Sequence, residues 1–152
     1  YVVTTNLDAQ RTAIWDMGKI AASGDPRAAY WRLYALDQFD GTTWRSSDPD
    51  GEQGQILSTP ANLAPGMPPG PAIDQRYRIL TDFADRWLPM AYPPQTVSVP
   101  FGLIRYDPEL TAAVAPDTFG EGLEYSVRSQ LVSPTPKELD AVSVAPPPRI
   151  AP

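Results

Sequence analysis

Apolar and polar residues alternate in several short stretches, and the clearest of them lie in the second half of the chain. Residues 76–83 (RYRILTDF) place Tyr77, Ile79 and Phe83 on one side of an extended strand. Further short apolar stretches are separated by Pro, Asp-Pro or Gly, and they lie at 96–99, 103–106, 111–114 and 123–132. Short strands with turn signals between them are typical of an all-β domain.

The first third of the chain also favours strands. Residues 11–22 (RTAIWDMGKIAA) fit either a helix or a strand, but Gly18 and Gly24 would weaken a helix, so we interpret the stretch as a strand. Residues 30–44 (YWRLYALDQFDGTTW) are rich in aromatic side chains on both sides of an Asp40-Gly41 pair. Asp-Gly is a strong hairpin-turn signal, so this tract predicts a hairpin with aromatic residues on both arms.

Two stretches break the alternation. Residues 46–74 are dense in Ser, Asp, Gly and Pro, which predicts a long exposed loop, with one short strand over 55–58 as an option. Residues 87–94 (WLPMAYPP) mix prolines with large apolar side chains, which indicates a packed irregular segment or a sheet edge.

The C-terminal region carries one helix signal and one linker signal. Thr135, Pro136 and Glu138 form the capping pattern of a helix start, and residues 145–152 (APPPRIAP) have the composition of a stiff linker. We therefore predict one β-domain over 1–144. Its expected form is a two-sheet antiparallel sandwich or distorted barrel of about seven to nine strands with a short C-terminal helix.

Composition supports this fold class. The chain has 152 residues, 42% of them hydrophobic, with 4 Trp and 7 Tyr to fill a core. Its 19 prolines suit loops and sheet edges better than helix interiors. The chain begins in a strand-like YVVTT rather than at a Met followed by a signal segment, so we interpret it as a piece excised from a longer protein.

Charge and residue usage narrow the functional classes. A net charge of −6 argues against a nucleic-acid partner, because nonspecific affinity for phosphates comes from clustered Lys and Arg. The chain has no Cys and no His, which excludes a Ser-His-Asp triad, a thiol nucleophile and a Cys/His zinc site within it. We expect a non-enzymatic chain with no cofactor and no metal.

Acidic residues leave two alternatives open. Paired carboxylates could act as acid and base in a hydrolase, and Asp-x-Asp-x-Glu could offer oxygens to Ca²⁺. Surface solvation is the preferred interpretation in both cases, because nothing selects one pair and the loop departs from the calcium-binding pattern. The carboxylates concerned are Asp82 with Asp85, Glu121 with Glu124, and Asp48 with Asp50 and Glu52.

Aromatic side chains give the candidate binding residues. Exposed Trp and Tyr rings stack on sugars or capture prolines, and a neighbouring Arg can stack on a ring or form an ion pair. Filling of the core is the preferred interpretation of these rings. The candidates are Trp31, Arg32, Trp44, Trp87 and Tyr92.

Several of these segments together resemble a known family. They are Tyr30-Trp31-Arg32, Asp40-Gly41-x-x-Trp44, Trp87-Leu88-Pro89 with Pro93-Pro94 and Val97, a G-x-x-Y-x-V-x-S element from Gly122 to Ser129, and Pro134-Thr135 before Leu139. In this order they resemble the extracytoplasmic β-domain of bacterial TgpA-type transglutaminase-like membrane proteins, which stands between a bundle of membrane helices and the transglutaminase core. The similarity spans most of the chain from Arg11 onward.

The resemblance implies a role. The catalytic Cys, His and Asp of such proteins lie in the downstream core, so no catalytic residue is carried onto this chain. We expect an accessory domain on the extracytoplasmic face of the bacterial membrane that positions the adjoining cysteine protease-like domain. A cell-envelope protein or glycan is the second expected partner, and the membrane is reached only through segments outside the chain. The alternative is a stand-alone carbohydrate- or peptidoglycan-binding module.

Overall fold

The computed structural model describes residues 13–16, 20–24, 31–67, 70–80, 86–118, 120–131 and 135–141. These residues form short strands and one short helix, and every strand pair is antiparallel. In chain order the elements are β1 (Ala13–Asp16), β2 (Ile20–Gly24), β3 (Trp31–Arg32), β4 (Gln38–Phe39), β5 (Trp44–Arg45), β6 (Gln55–Ser58), β7 (Ala61–Asn62), β8 (Ala72–Ile79), β9 (Met90–Ala91), β10 (Pro94–Ser98), β11 (Leu103–Asp107), β12 (Ala112–Val114), β13 (Glu124–Gln130) and α1 (Pro136–Asp140).

The larger sheet has six strands in the order β1-β2-β8-β13-β10-β7. Its centre is the long pair β8 and β13, whose residues alternate between buried and exposed. Alternation of this kind places one face of the pair on a core and the other in solvent. Tyr77 and Tyr125 lie directly opposite each other on the core face, with stacked rings 5.0 Å apart.

The smaller sheet has three strands in the order β12-β11-β6, and one of its faces packs on the same core. Ile104, Tyr106 and Ala113 are buried in one cluster with Tyr77 and Val97 of the larger sheet. The two sheets therefore face each other across a shared core. The all-β prediction is confirmed, and the described strands form several antiparallel sheets that do not close into a barrel.

The outer face of the three-stranded sheet is covered at one end by a second apolar cluster. Trp87 bridges to Val114, and Leu110 and Ala112 are buried with them. Leu33 and the neighbouring Ala35, in the connection from β3 to β4, pack over this cluster. That connection covers the β12 end of the outer face and leaves the β6 end open, where Ile56 is 65% exposed.

The proline-rich stretch 87–94 is packed, as the sequence predicts. Its backbone accepts two buried hydrogen bonds from the larger sheet, which anchor it against the core. The Tyr125 hydroxyl donates to the carbonyl oxygen of Pro89, and the Ser129 hydroxyl donates to that of Ala91, both at 2.7 Å.

The helix start is confirmed in detail. The backbone N–H of Thr135 donates to a carboxylate oxygen of Glu138 at 2.7 Å, and the N–H of Glu138 donates to the Thr135 hydroxyl at 3.3 Å. This reciprocal pair is a capping box, and it satisfies donors that a helix start leaves unpaired. Bonds from the backbone and hydroxyl of Thr135 hold the pKa of the Glu138 carboxyl below its usual value.

The prediction of a single long loop over 46–74 is wrong in its extent. The optional strand over 55–58 is present as β6, and the stretch also contains β7 and the first residues of β8. Ala61, Leu63 and Ile73 are buried in it, because they contribute to the core between Pro- and Gly-rich turns. Phe83 and the linker 145–152 lie outside the described residues.

Candidate interaction site

The turn of the β4–β5 hairpin is built by Asp40 and Gly41. One carboxylate oxygen of Asp40 accepts hydrogen bonds from the backbone N–H groups of Thr42 and Thr43, at 2.9 and 2.8 Å. Gly41 has a φ of 93°, a conformation that glycine adopts without steric cost. The bonds from Thr43 and Thr42 hold the pKa of the Asp40 carboxyl below its usual value. The hairpin prediction is confirmed for residues 38–45.

The hairpin has one aromatic and one polar face. Phe39 lies opposite Trp44, and their rings stack with centroids 4.9 Å apart. Gln38 and Arg45 form the next opposed pair, so their side chains point to the other face. There Arg45 forms an ion pair with Asp40 at 3.2 Å. Phe39 is 54% exposed and Trp44 49% exposed, so the aromatic face lacks a cover within the described residues.

Two hydrogen bonds close the base of the hairpin. The N–H of Asp37 donates to the carbonyl oxygen of Arg45 at 3.0 Å, and the carboxylate of Asp37 accepts from the N–H of Ser47 at 2.7 Å. Among the described strands, β4 and β5 pair only with each other. A shallow cleft of about 340 Å³ lies on the polar side and is lined by Asp37, Gln38, Phe39, Asp40, Thr43 and Arg45.

The structure separates the predicted binding residues into different places. Trp87 is buried and stacks on Tyr34 with centroids 5.4 Å apart. Trp31 is partly buried and meets Tyr77 edge-on at 5.3 Å, because β3 pairs with β9 rather than continuing into the hairpin. Trp87 and the buried part of the Trp31 side chain therefore fill the core, as the preferred interpretation predicted. Trp44 is exposed and does not.

Arg32 and Tyr92 form a separate surface contact. The guanidinium carbon of Arg32 lies 5.0 Å from the centroid of the Tyr92 ring, in the geometry of a cation–π contact. Tyr92 is exposed beside it. Burial raises the pKa of the nearby Tyr106 to about 12, and the positive charge of Arg32 opposes this shift only in part. Of the five candidates, Arg32 and Tyr92 are brought into contact with each other through their side chains.

Sequence reasoning missed three exposed apolar residues: Ile56 and Leu103 on the smaller sheet, and Phe101 in the turn before β11. The first two belong to the outer face of strands β6 and β11, which no local pattern distinguishes from the core face. A groove of about 240 Å³ on this side is lined by Glu52, Ile56, Arg86, Leu103, Ile104, Arg105, Val114, Ala115 and Pro116. For the hairpin, the sequence did contain a signal: Phe39 and Trp44 stand at equal distances on either side of the turn residues 40–43, which indicates that the two rings lie opposite each other.

The acidic loop around Asp48, Asp50 and Glu52 makes hydrogen bonds that stabilise the fold. Asp48 is buried, and its two carboxylate oxygens accept hydrogen bonds from the N–H groups of Glu52 and Gln53, at 2.8 and 3.0 Å. Asp50 contributes its carbonyl oxygen to Arg86, at 2.8 Å. Within the part of the chain that the structure describes, no group of three or more acidic, His or Cys residues could hold a metal ion.

Of the two carboxylate pairs considered from the sequence, the structure describes only Glu121 with Glu124. Glu124 forms an exposed ion pair with Arg78 at 3.8 Å, and Glu121 is exposed in the preceding turn. Asp82 and Asp85 lie outside the described residues.

No helix among the residues described is long and apolar enough to cross a membrane.

Comparison with known families gives one match. The profile of a family described as the TgpA N-terminal domain matches residues 18–136, from just before β2 to the first residue of α1. No curated protein and no solved structure matches the chain. The family match confirms the resemblance seen in the sequence and covers the hairpin, the three-stranded sheet and the larger sheet from β2 onward. The chain therefore belongs to the TgpA N-terminal domain family.

Proposed function

We propose that the chain is a non-catalytic accessory domain of a membrane-anchored transglutaminase-like protein, and that its aromatic hairpin contacts and positions the adjoining catalytic domain. A TgpA N-terminal domain is not the catalytic domain of its protein. The proposed setting is the extracytoplasmic face of the bacterial cell membrane. A cell-envelope protein or glycan is a second proposed partner.

The exposed Phe39–Trp44 pair is the observation that carries this proposal. Two large rings, each about half exposed and stacked on one another, form an apolar surface on a hairpin whose strands pair with no other described strand. Aromatic residues held in one conformation lose little entropy on binding and are frequent hot spots of protein interfaces. The polar face, fixed by the Asp40–Arg45 ion pair, would remain in solvent.

The test uses the longer protein containing this chain and its downstream domain. Phe39→Ser combined with Trp44→Ser should separate the two domains, which small-angle scattering would record as a larger radius of gyration. Cross-links between the domains should be lost in the same variant. Gln38→Ser, on the opposite face of the same hairpin, is the matched control and should change neither measurement.

Two results would contradict the proposal. One is an unchanged domain arrangement in the Phe39→Ser/Trp44→Ser variant while circular dichroism shows a folded chain. The other is a parent reading frame that lacks a downstream domain with catalytic Cys, His and Asp residues.

The glycan-binding alternative has one observation in its favour. The cleft of the hairpin is lined by carboxylate, amide and guanidinium groups together with Phe39. Sugar-binding sites combine an aromatic ring with such groups. Titration of Trp fluorescence with peptidoglycan fragments tests it. A saturable change that Phe39→Ser abolishes would favour this alternative, and no change at millimolar ligand would exclude it.

A further inference from the structure

Strand β6 is the unprotected edge of the three-stranded sheet. In the order β12-β11-β6 it is the terminal strand among those the structure describes. Its sequence, QILS, contains no charged residue and no proline, and Ile56 within it is 65% exposed. Natural sheet edges are usually blunted by Lys, Pro, bulges or inward charges, because an open edge pairs readily with another strand.

The backbone of β6 offers hydrogen-bonding groups toward this open side. Just beyond the strand, the N–H of Thr59 donates to the carbonyl oxygen of Gly102 at 2.9 Å, which makes these two residues a hydrogen-bonded pair. Hydrogen-bonded and non-hydrogen-bonded pairs alternate along antiparallel strands. The pairs Ser58 with Leu103 and Ile56 with Arg105 are therefore non-hydrogen-bonded. The N–H and C=O groups of Ile56 and Ser58 consequently point away from β11.

We propose that β6 pairs antiparallel with β6 of a second copy of this chain, about a two-fold axis, so that two three-stranded sheets join into one. Within this four-residue strand, the register that pairs both outward-pointing residues places Ile56 opposite Ser58 of the second copy and Ser58 opposite Ile56. The axis then passes beside Leu57. This arrangement forms four backbone hydrogen bonds, two in each Ile56–Ser58 pair.

Side chains along this edge are self-complementary in that register. On the core side, Leu57 meets Leu57 of the second copy, in the close spacing of a non-hydrogen-bonded pair. On the outer side the two Ile56 side chains meet diagonally, each beside the small Ser58 of the other copy. Leu103, itself exposed and opposite Ser58 in its own sheet, extends this apolar row.

Charge also permits the pairing and predicts how it responds to salt. No charged side chain stands within β6, and the guanidinium of Arg105 donates to the carbonyl oxygen of Gly54, just before the strand, at 3.0 Å. In this register the Gly54 residues of the two copies lie at opposite ends of the paired edge, so the two Arg105 charges are about 20 Å apart along the strands. That separation exceeds the screening length of physiological salt. Each chain carries a net charge of −6, so added salt should strengthen the dimer. A four-residue strand buries little area, so the dimer should dissociate on dilution.

Sedimentation equilibrium of the chain from micromolar to millimolar concentration tests the proposal. The weight-average mass should rise from 16.6 kDa toward twice that value, and more steeply at higher salt. Ser58→Pro removes two of the four inter-copy hydrogen bonds but none within the sheet, so it should weaken association about tenfold or more. Ile56→Lys should do the same by placing a charge on the edge. Phe39→Lys, on the hairpin, is the control and should associate like the unaltered chain.

The outcomes separate the possible occupants of the edge. A chain that stays monomeric at millimolar concentration, or that dimerises equally with Ile56→Lys and Ser58→Pro, overturns the proposal. Thermal melts identify a variant that fails to fold, and the other variant then decides. If the Ile56 and Ser58 amides are protected from exchange only in the longer protein at low concentration, a strand of the adjoining domain occupies the edge and the second-copy assignment is wrong.

Discussion

The molecule contains two stacked aromatic pairs of the same local design in opposite surroundings. Tyr77 and Tyr125 face each other across β8 and β13, and Phe39 and Trp44 face each other across β4 and β5. Ring separations are almost the same, at 5.0 and 4.9 Å. The first pair is fully buried between the sheets, whereas the second is about half exposed. Cross-strand stacking is therefore a local property, and only the surrounding strands decide whether it builds a core or presents a surface.

Truncating one ring in each pair should give the largest contrast. Tyr125→Ala leaves a cavity in the core and an unpaired carbonyl at Pro89, and it should lower the free energy of unfolding by about 3–5 kcal/mol. Phe39→Ala, at the exposed pair, should cost about 1 kcal/mol or less. Urea unfolding followed by circular dichroism measures both values. Similar losses for the two variants would mean that the hairpin is part of the cooperative core.

Of the two stacked pairs, only the buried one should respond to alkaline pH. Burial raises the pKa values of Tyr77 and Tyr125 above the ordinary value of 10, and the neighbouring Tyr77 raises that of Tyr125 further. Above pH 10 the unfolded chain loses these protons while the folded chain retains them, so stability is lost as pH rises toward the folded-state pKa values. We expect the melting temperature to fall above pH 10.

Tyr77→Phe combined with Tyr125→Phe supplies the control for that experiment. This variant should be less stable near neutral pH, because the Tyr125 hydroxyl no longer binds Pro89 and the Tyr77 hydroxyl no longer binds Gln75. Its melting temperature should nevertheless depend less on pH above 10. An equally steep alkaline loss would assign the effect to other tyrosines, such as Tyr106.

Removing the exposed ring of Trp44 should lower stability less than removing a ring of the buried pair, and its structural effect should stay within the hairpin. Trp44→Ala deletes the stacking partner of Phe39, and an exposed cross-strand pair is worth about 0.2–1 kcal/mol. The chemical shifts of Gln38 and Thr43 should move, while those of the core valines Val97 and Val127 should not. Nuclear magnetic resonance of the two variants Trp44→Ala and Trp44→Phe would show it, and shifts that spread into the core would contradict the separation.

Acid should produce the smallest effect, confined to the hairpin turn. Because the folded-state pKa of Asp40 lies below its ordinary value of 3.8, its stabilising effect is complete above that pH and is lost as pH falls through the lower, folded-state value. The amide protons of Thr42 and Thr43 should report a titration with a midpoint below 3.8. Asp40→Asn should abolish that titration, and a midpoint at or above 3.8 would contradict the hydrogen-bonded turn.

Local pattern was sufficient wherever the structure depends on neighbours in sequence. Asp40-Gly41 predicted the hairpin turn, the Thr135–Glu138 spacing predicted the capping box, and alternation predicted the core face of β8 at Tyr77 and Ile79. Each of these features forms from contacts within a few residues or from a strict period of two.

Pairings between strands far apart in the chain could not be predicted from the sequence. Trp31 looked like part of one aromatic arm, but β3 pairs with β9, about sixty residues away in the chain. Asp48 looked like a solvated carboxylate, and its burial depends on how the acidic loop folds back on itself. Likewise, the open edge at Ile56 is visible only once the order of the sheet is known, since β6 has no local feature that marks it as terminal.

Because Asp37 closes the base of the hairpin, the hairpin is a segment that can be swapped between members of the family. Because Asp37 bonds both to the Arg45 carbonyl and to the Ser47 N–H, the eleven-residue stretch from 37 to 47 starts and ends at one fixed point. Its strands pair with no other described strand. We therefore expect that residues 37–47 can be exchanged between family members as one unit without altering the two sheets.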